Sequence, residues 1–270
     1  YAINATRPTI STLTRYAPTN LYTNADSLTF QISFTEAVTG VDAADFMING
    51  TDATVSNLTT NDNLTYLLTL TGGNLAQLNA NVFLRMAEGY SITNGFGNAM
   101  TNPAANTYIN NSEYFIVDNT DPAAPLELGL DLASDCGISN SDRITNDNTP
   151  TVLGKLDGFG FDIAQVDLFG ANNELLGTTN QNICGAWGIT SSTLADGTHS
   201  LTAKATDHAG NISAASAALQ IVVDTVVATS AAPDEYIWHV RAIRAKVSLK
   251  SAFLQTTQRE HLIKHAAQRA

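Results

Sequence analysis

Aspartates are the side chains of this sequence best suited to do chemistry, and from residue 118 onwards they form two groups. The first group is Asp118, Asp121, Asp157, Asp162 and Asp207, and the second is Asp131, Asp135, Asp142 and Asp147. Ca²⁺ binds about six to eight oxygens from carboxylates, amide side chains and carbonyls. The sequence has no EF-hand spacing, D-x-[DN]-x-[DN]-G with a distal Glu, so a calcium site would have to be assembled from several loops. The alternative is that each Asp caps a turn, which explains a single Asp better than a cluster.

Other catalytic and metal-binding patterns are missing from the sequence. The G-x-S-x-G nucleophile motif and the Walker and Rossmann glycine patterns are absent. His199 and His208 are the only histidines before the tail, and neither has a partner at the spacing of metal ligands. Carboxylates are abundant enough to form pairs, but acidic turns are normal on an acidic surface, which argues against glycosidase chemistry. We therefore expect no enzymatic activity.

Alternating apolar residues predict the β-strands that must position these side chains. Leu28, Phe30, Ile32 and Phe34 alternate with polar residues, and the same period of two recurs over 64–70, 82–86, 163–169 and 198–205. Turn signals separate the runs, at Asn49-Gly50, Gly72-Gly73, Gly97-Asn98 and Gly210-Asn211. Short strands with frequent turns predict antiparallel sandwiches, so the fold class we expect is all-β.

Several motifs resemble those of bacterial Ig-like repeats. The segment Ala203-Lys204-Ala205-Thr206-Asp207-His208-Ala209-Gly210-Asn211, followed by Val222-Val223-Asp224-Thr225, resembles the end of such a repeat. The stretch SDCGISNSDRITNDNTPT at 134–151 resembles its start. In the first half, NADSLTF at 24–30 and FTEAVTGVDAADF at 34–46 resemble another Ig-like subtype. Repeats of this kind occur in tandem in large secreted or surface adhesins, including biofilm-associated and RTX-type proteins.

The resemblance implies two tandem Ig-like sandwiches and a non-homologous tail. We predict domain 1 at 6–121, domain 2 at 122–227 and a basic tail at 228–270. The linker contains Pro122 and Pro125, which cannot donate ladder hydrogen bonds and favour an extended chain. The closing turn of the first repeat is Asn94-Gly95-Phe96-Gly97-Asn98, which lacks the aspartate of the family pattern.

Charge separates the tail from the rest of the chain. The whole sequence carries a formal net charge of −12, divided into −16 for residues 1–224 and +4 for residues 225–270. The acidic part argues against nucleic acid as a partner and favours cations. In the tail Ile237, Val240, Ile243 and Val247 recur at helical spacing, which allows a short helix. A frameshifted or truncated end, a disordered segment and a basic helix that binds a membrane or a partner remain alternatives.

The composition is typical of a secreted β-protein. Charged residues make up only 14% of the chain, and no apolar run is long enough to span a membrane. We expect an extracellular or cell-surface location for a fragment of a longer protein, with its secretion signal elsewhere. The two cysteines, Cys136 and Cys184, either form one bridge or remain unpaired. Trp187 is expected to anchor a core.

The topology implied by the Ig-like resemblance places the first aspartate group at one end of domain 2. The second and third strands are joined at the end where the chain enters, and so are the last two strands. Asp157 lies in the first connection, Asp207 lies in the second, and the linker brings Asp118 and Asp121. We predict that these four carboxylates bind Ca²⁺ and fix the interdomain angle, as Ca²⁺ does in similar adhesin repeats. The opposite end is predicted to hold half of a second, weaker site, formed by Asp131, Asp135, Asp142 and Asp224.

The predicted function is spacing and adhesion in a large bacterial surface or secreted adhesin. Its partners would be neighbouring Ig-like modules of the same chain and a glycan or protein of a host or biofilm surface. The alternative is an accessory carbohydrate-binding or spacer region of a secreted multidomain hydrolase. The sequence does not identify the adhesion ligand or the number of repeats in the parent protein.

Overall fold

Two hydrophobic cores divide the described part of the chain into domain 1, before the linker, and domain 2, after it. The structure, a computed structural model, describes residues 5–101, 107–110, 112–136, 139–158, 160, 162–180 and 184–226. The predicted tail at 228–270, including its possible helix, lies outside these residues. None of the described helices has the length and hydrophobicity needed to span a membrane.

Domain 1 is a sandwich of two sheets whose strands are mostly antiparallel. Its strands are β1 (Ile10–Ala17), β2 (Tyr22–Thr23), β3 (Ser27–Phe34), β4 (Val38–Thr39), β5 (Phe46–Asn49), β6 (Thr54–Thr60), β7 (Thr65–Thr71), β8 (Ala80–Met86), β9 (Thr93–Asn94) and β10 (Phe115–Val117). One sheet has the order β1-β3-β7-β6 and the other β2-β10-β8-β5, while β4 and β9 form a small pair. Short 3₁₀-helices occupy Ala43–Asp45 and Leu75–Gln77.

Domain 2 repeats this plan. Its strands are β11 (Leu126–Leu130), β12 (Ile144–Thr145), β13 (Thr151–Lys155), β14 (Ile163–Phe169), β15 (Leu175–Thr179), β16 (Ala186–Thr190), β17 (Gly197–Asp207) and β18 (Leu219–Val223). The sheet orders are β11-β13-β16 and β12-β18-β17-β14-β15, and a 3₁₀-helix covers Ala171–Asn173. In both domains the second strand leaves the first sheet and pairs in parallel with the last strand, β2 with β10 and β12 with β18.

Alternation of side chains creates both cores. In β3, Leu28, Phe30 and Ile32 point inward and are fully buried, because successive residues of a strand face opposite sides. Phe30 meets Phe115 of the opposite sheet edge to face, with ring centroids 4.9 Å apart. In domain 2, Trp187 is buried opposite Gly154, its partner on the neighbouring strand, and belongs to the core as predicted. The predicted all-β fold with two tandem sandwiches is confirmed.

Strand register sets the end of domain 2 that faces the linker. Leu126 pairs with Lys155, so β11 begins beside the end of β13. Ile163 pairs with Asp207, so β14 begins beside the end of β17. The linker, the β13–β14 loop and the β17–β18 turn therefore meet at one end, which we call the N-terminal pole of domain 2.

Candidate metal centre at the joint between the two domains

Asp207 ends β17 and organises the turn that follows it. Its Oδ1 accepts hydrogen bonds from the backbone N–H groups of Ala209, Gly210 and Asn211 at 2.8, 2.7 and 2.9 Å. Its Oδ2 accepts one from the Asn211 side-chain amide at 2.8 Å. Gly210 has a φ of +99°, a conformation that side chains other than glycine rarely adopt. The Asp-x-x-Gly-Asn order is thus required by the turn itself, and Asp207 is only 2% exposed.

Three carboxylates converge at the N-terminal pole of domain 2. One oxygen each from Asp118, Asp162 and Asp207 lies within 4.8 Å of the other two. Asp118 comes from the linker, Asp162 from the β13–β14 loop and Asp207 from the end of β17. Two unit charges at this separation repel by about 1 kcal/mol in a water-like medium and about 3 kcal/mol at the effective dielectric of a protein surface. The arrangement therefore favours a bound cation.

Two of the four residues predicted to converge, Asp121 and Asp157, are not in this group, while Asp162 is. Asp162 directly precedes Ile163, which pairs with Asp207, and the Asp162 carbonyl accepts the His208 N–H at 3.2 Å. Asp157 is exposed near the opposite end of the same loop. Asp121 is exposed three residues beyond Asp118, a distance of about 10 Å in an extended chain. The strand register, rather than membership of the loop, selects Asp162.

The same end of domain 2 contacts domain 1 directly. Asn211 donates its side-chain amide to the Asp118 carbonyl at 2.8 Å, and its Oδ1 accepts the Asn24 amide at 3.0 Å. Asp118 follows β10 immediately, and its N–H donates to the Thr23 carbonyl at 3.0 Å. The His208 ring lies 5.7 Å from the Tyr22 ring, centroid to centroid. Asp118 is therefore held by the last strand of domain 1 while its side chain points to the carboxylates of domain 2.

The donor set suits a hard divalent cation. All three side chains offer carboxylate oxygens, the ligands that Ca²⁺ and Mg²⁺ prefer. Within the described residues no hydrogen bond is donated to either Asp162 oxygen or to Asp118 Oδ2, so these oxygens have free lone pairs. Ligands from separate loops fit Ca²⁺ better, since it tolerates irregular coordination and Mg²⁺ demands a near-ideal octahedron. Carbonyls or waters would supply the remaining positions.

Domain 1 contains the same turn without the acid. Asn94 Oδ1 accepts the backbone N–H groups of Phe96 and Asn98, both at 3.0 Å, just as Asp207 caps its own turn. The Asn94 amide donates to the Thr6 carbonyl at 3.1 Å and to Glu36 Oε2 at 3.2 Å. At the position where domain 2 has a carboxylate, domain 1 has a neutral amide that makes hydrogen bonds.

Comparison with known families agrees with this repeated plan. Two family models, each described as a bacterial Ig-like domain, match residues 4–112 and 122–225, and together they cover more than half of the chain. The chain is a tandem of bacterial Ig-like domains. Such domains are typically structural or adhesive modules without enzymatic activity. No curated protein matches the sequence significantly.

Solved structures similar to this chain include a biofilm-associated protein, an adhesin and intimin. The BSP domain of a biofilm-associated protein is 16% identical, with a TM-score of 0.27 over 79% of this chain and 30% of that one. The adhesin InvE of Yersinia pseudotuberculosis is 16% identical, with a TM-score of 0.26 over 80% and 60%. A 282-residue C-terminal intimin fragment, in complex with the intimin-binding domain of its translocated receptor, is 11% identical, with a TM-score of 0.32 over 80% and 64%. This chain spans less than two thirds of each.

The aspartates of the predicted second site do not converge in the same way. Among the described residues, no set of three potential metal ligands within 4.8 Å includes Asp131, Asp135, Asp142 or Asp224. Asp131 and Asp142 each accept a backbone N–H two residues further on, as turn caps do. Asp224 is exposed and does the same with Val226.

Asp135 differs from these turn caps. It is 5% exposed, and its Oδ1 has no hydrogen-bond partner in the described part of the chain. Its Oδ2 accepts the Arg143 N–H at 3.4 Å. A buried anionic oxygen without a donor is unfavourable unless a proton or a cation neutralises it.

Both cysteines are free thiols in the structure, which is the unpaired alternative. Cys184 is exposed, and Cys136 Sγ donates to Asn146 Oδ1 at 2.9 Å.

Proposed function

We propose that this tandem is a pair of spacer modules from an extracellular adhesin-type protein of a bacterial surface, and that Ca²⁺ bound at Asp118, Asp162 and Asp207 stiffens the joint. The observation that carries the calcium proposal is the approach of the three carboxylate oxygens to within 4.8 Å of one another. The extracellular role is supported by the family match. The module would perform no catalysis, and its partners would be neighbouring modules and a glycan or protein on another surface.

The proposed mechanism follows from the origin of the three side chains. Without a cation their mutual repulsion drives the linker away from the two loops of the second domain. A bound Ca²⁺ would offset this repulsion, because all three carboxylates would coordinate it. Because Asp118 also donates its N–H to Thr23, the cation would join the last strand of the first domain to the second domain. The expected result is a narrower range of interdomain angles.

Calorimetric titration with Ca²⁺ tests the proposal on the whole chain. We expect a dissociation constant on the order of 10⁻⁴ to 10⁻³ M, which is typical of extracellular modules. Asp207→Asn is the informative variant because Asn94 forms the same backbone turn in the first domain. The variant keeps the oxygen that caps the turn, while it loses one charge and the acceptor of the Asn211 amide. Binding at the joint should disappear in Asp207→Asn. It should persist in Asp142→Asn, which removes an exposed carboxylate outside the joint.

Small-angle scattering supplies the mechanical readout. The pair-distance distribution of the parent protein should differ between Ca²⁺ and chelator, and that of Asp207→Asn should not. If the parent binds no Ca²⁺ at millimolar concentration, or if its scattering profile is unchanged, the calcium proposal is wrong. The full-length gene tests the broader proposal. The gene of an adhesin should encode many more such domains, whereas that of a hydrolase with an accessory region should encode a catalytic domain.

A second, weaker site with Asp131, Asp135 and Asp142 as candidate ligands also remains our proposal. It is supported by the unpartnered Oδ1 of Asp135. Its carboxylates would need ligands from a following module to complete the coordination shell. The same titration addresses it, because any weaker binding event should be lost in Asp142→Asn and kept in Asp207→Asn.

A further inference from the structure

A groove crosses the solvent face of the β1-β3-β7-β6 sheet of the first domain, away from the joint. It has a volume of about 220 Å³ and is lined by residues of all four strands and of the β6–β7 loop. Gln31 pairs with Leu67, and Leu67 pairs with Thr59, so these three side chains lie in one row across the sheet. Tyr16 forms the wall at the β1 edge, and Asn61 and Asp62 form the wall at the loop.

Two apolar side chains interrupt an otherwise polar surface at this groove. The outward residues of β3 and β7, both described in full, are Ser27, Thr29, Gln31, Ser33, Thr65, Leu67, Thr69 and Thr71. Leu67 alone is apolar among them, and it lies on the groove floor. The Tyr16 ring beside it is 49% exposed. Tyr16 and Leu67 together form an apolar strip on this face.

The polar groups around this apolar strip are available for hydrogen bonds. The Tyr16 hydroxyl, the Gln31 amide and the Asn61 amide form no hydrogen bond with any described residue. Together they offer donors and acceptors on both sides of Leu67. A ligand in the groove would thus find an aromatic face, a methyl-lined floor and neutral polar groups within one small volume.

The β6–β7 loop is held by hydrogen bonds to its one carboxylate, Asp62. Asp62 Oδ1 accepts the N–H groups of Leu64 and Thr65 at 2.9 and 2.8 Å and the Thr60 hydroxyl at 3.3 Å. The Thr65 and Leu64 hydrogen bonds hold the pKa of Asp62 below its ordinary value of 3.8, so the group is charged at neutral pH. Its Oδ2 accepts no hydrogen bond from the described residues and remains a permanent acceptor for a ligand hydroxyl.

Charge and size narrow the kind of ligand. The lining contains one carboxylate and no basic side chain, so it repels anions such as sulfated or sialylated sugars. Arg15, next to Tyr16 in sequence, is occupied by an ion pair with Glu113 at 3.1 Å. The volume is below the range of about 300 to 1,000 Å³ that is typical of drug-sized ligands, so the groove fits roughly one sugar ring at a time.

The geometry points to a binding site for a neutral saccharide in this groove, with Tyr16 stacking on a sugar ring and Gln31, Asn61 and Asp62 binding its hydroxyls. A pyranose has an apolar C–H face and a rim of hydroxyls that are both donors and acceptors, which matches the apolar strip and its polar borders. This inference does not depend on the calcium proposal, since no groove residue belongs to the joint.

A printed array of neutral, sulfated and sialylated oligosaccharides tests the inference on the whole chain, followed by calorimetry with the strongest neutral glycan. Tyr16→Ala and Gln31→Ala should each weaken binding by about tenfold or more, as loss of a central contact does. Phe96→Ala is the control, because the Phe96 ring is 69% exposed and lies outside both the groove and the joint. Its affinity should equal that of the parent, and binding should be the same in Ca²⁺ and in chelator.

Three results would overturn this site. One is an array without signal for any neutral glycan, and another is a preference for sulfated or sialylated glycans. The third is neutral-glycan affinity that survives both Tyr16→Ala and Gln31→Ala. Because both substitutions are on the solvent face, their thermal midpoints should stay near that of the parent, which separates loss of binding from loss of fold. None of these results would affect the calcium titration.

Discussion

Asp207 combines a structural role with a place in the carboxylate group. Its Oδ1 is occupied by three backbone N–H groups and its Oδ2 by one amide. An oxygen accepts more than one hydrogen bond or ligand, so Oδ2 can still turn a lone pair towards a cation. The turn cap and the cation ligand are therefore compatible functions of one side chain.

The two roles separate in substitutions at position 207. Asp207→Ala leaves three buried or half-buried N–H groups without an acceptor, and we expect it to destabilise the second domain by about 1–3 kcal/mol. Asp207→Asn keeps an oxygen for the three backbone donors and loses only the acceptor of the Asn211 amide, so it should cost less than Asp207→Ala, about 1 kcal/mol. Guanidinium unfolding followed by the fluorescence of buried Trp187 measures both, in a Trp238→Phe background that removes the second tryptophan. Equal losses in the two variants would contradict the cap.

Sequence reasoning predicts this residue well and its neighbours less well. The Asp-x-x-Gly-Asn spacing defines the Asp207 turn because Gly210 alone supplies the positive φ. Asp157 and Asp162 are indistinguishable by type and loop, and only the pairing of Ile163 with Asp207 decides between them. Interstrand register depends on tertiary packing, so the predicted metal set included Asp157.

At the level of elements, the two Ig-like domains show how one turn is used with and without charge. Asn94 and Asp207 cap equivalent turns, but Asn94 donates its amide to Glu36, whereas Asp207 faces two more carboxylates. In the first domain the carboxylate beside this turn therefore has a hydrogen-bond donor from the turn itself. The second has excess negative charge there, and the linker adds a further carboxylate.

The reverse substitution in the first domain tests this comparison. Asn94→Asp replaces the donor to Glu36 by a second carboxylate at hydrogen-bonding distance, so we expect a loss of about 1–3 kcal/mol and a lower thermal midpoint. Adding Glu36→Gln should restore most of the loss, because the Gln amide can donate to the new carboxylate. A double variant as unstable as Asn94→Asp alone would show that the repulsion is not the cause.

The long strands were predictable because their apolar residues alternate over seven or eight positions, as in β3 and β7. The parallel strands β2 and β12 were not, since two residues carry no measurable period. The groove on the first domain was also missed. Its row of Gln31, Leu67 and Thr59 exists only after three strands have paired in the observed register.

At the scale of the whole molecule, the joint combines direct contacts with the proposed cation. Asn211 binds both the linker carbonyl of Asp118 and the side chain of Asn24, so domain 1 and domain 2 touch through neutral hydrogen bonds as well. These bonds do not require a metal. Neutral hydrogen bonds of this kind contribute only about 1 kcal/mol each, and we expect them to orient the domains weakly when Ca²⁺ is removed.

Asn24→Ala measures that metal-independent contribution. Asn24 is exposed and its side chain donates to Asn211 Oδ1, so its loss should leave the stability of each domain within about 0.5 kcal/mol of the parent. In chelator, the pair-distance distribution from small-angle scattering should broaden relative to the parent protein. In millimolar Ca²⁺ the two should coincide, because coordination of Asp118 would then hold the joint.

The control is Asn57→Ala, which removes an exposed asparagine on β6 outside the joint and should match the parent in both buffers. A distribution for Asn24→Ala that equals the parent in chelator would show that the side-chain contact does not orient the domains, whereas broadening that persists in Ca²⁺ would mean that the cation does not lock them.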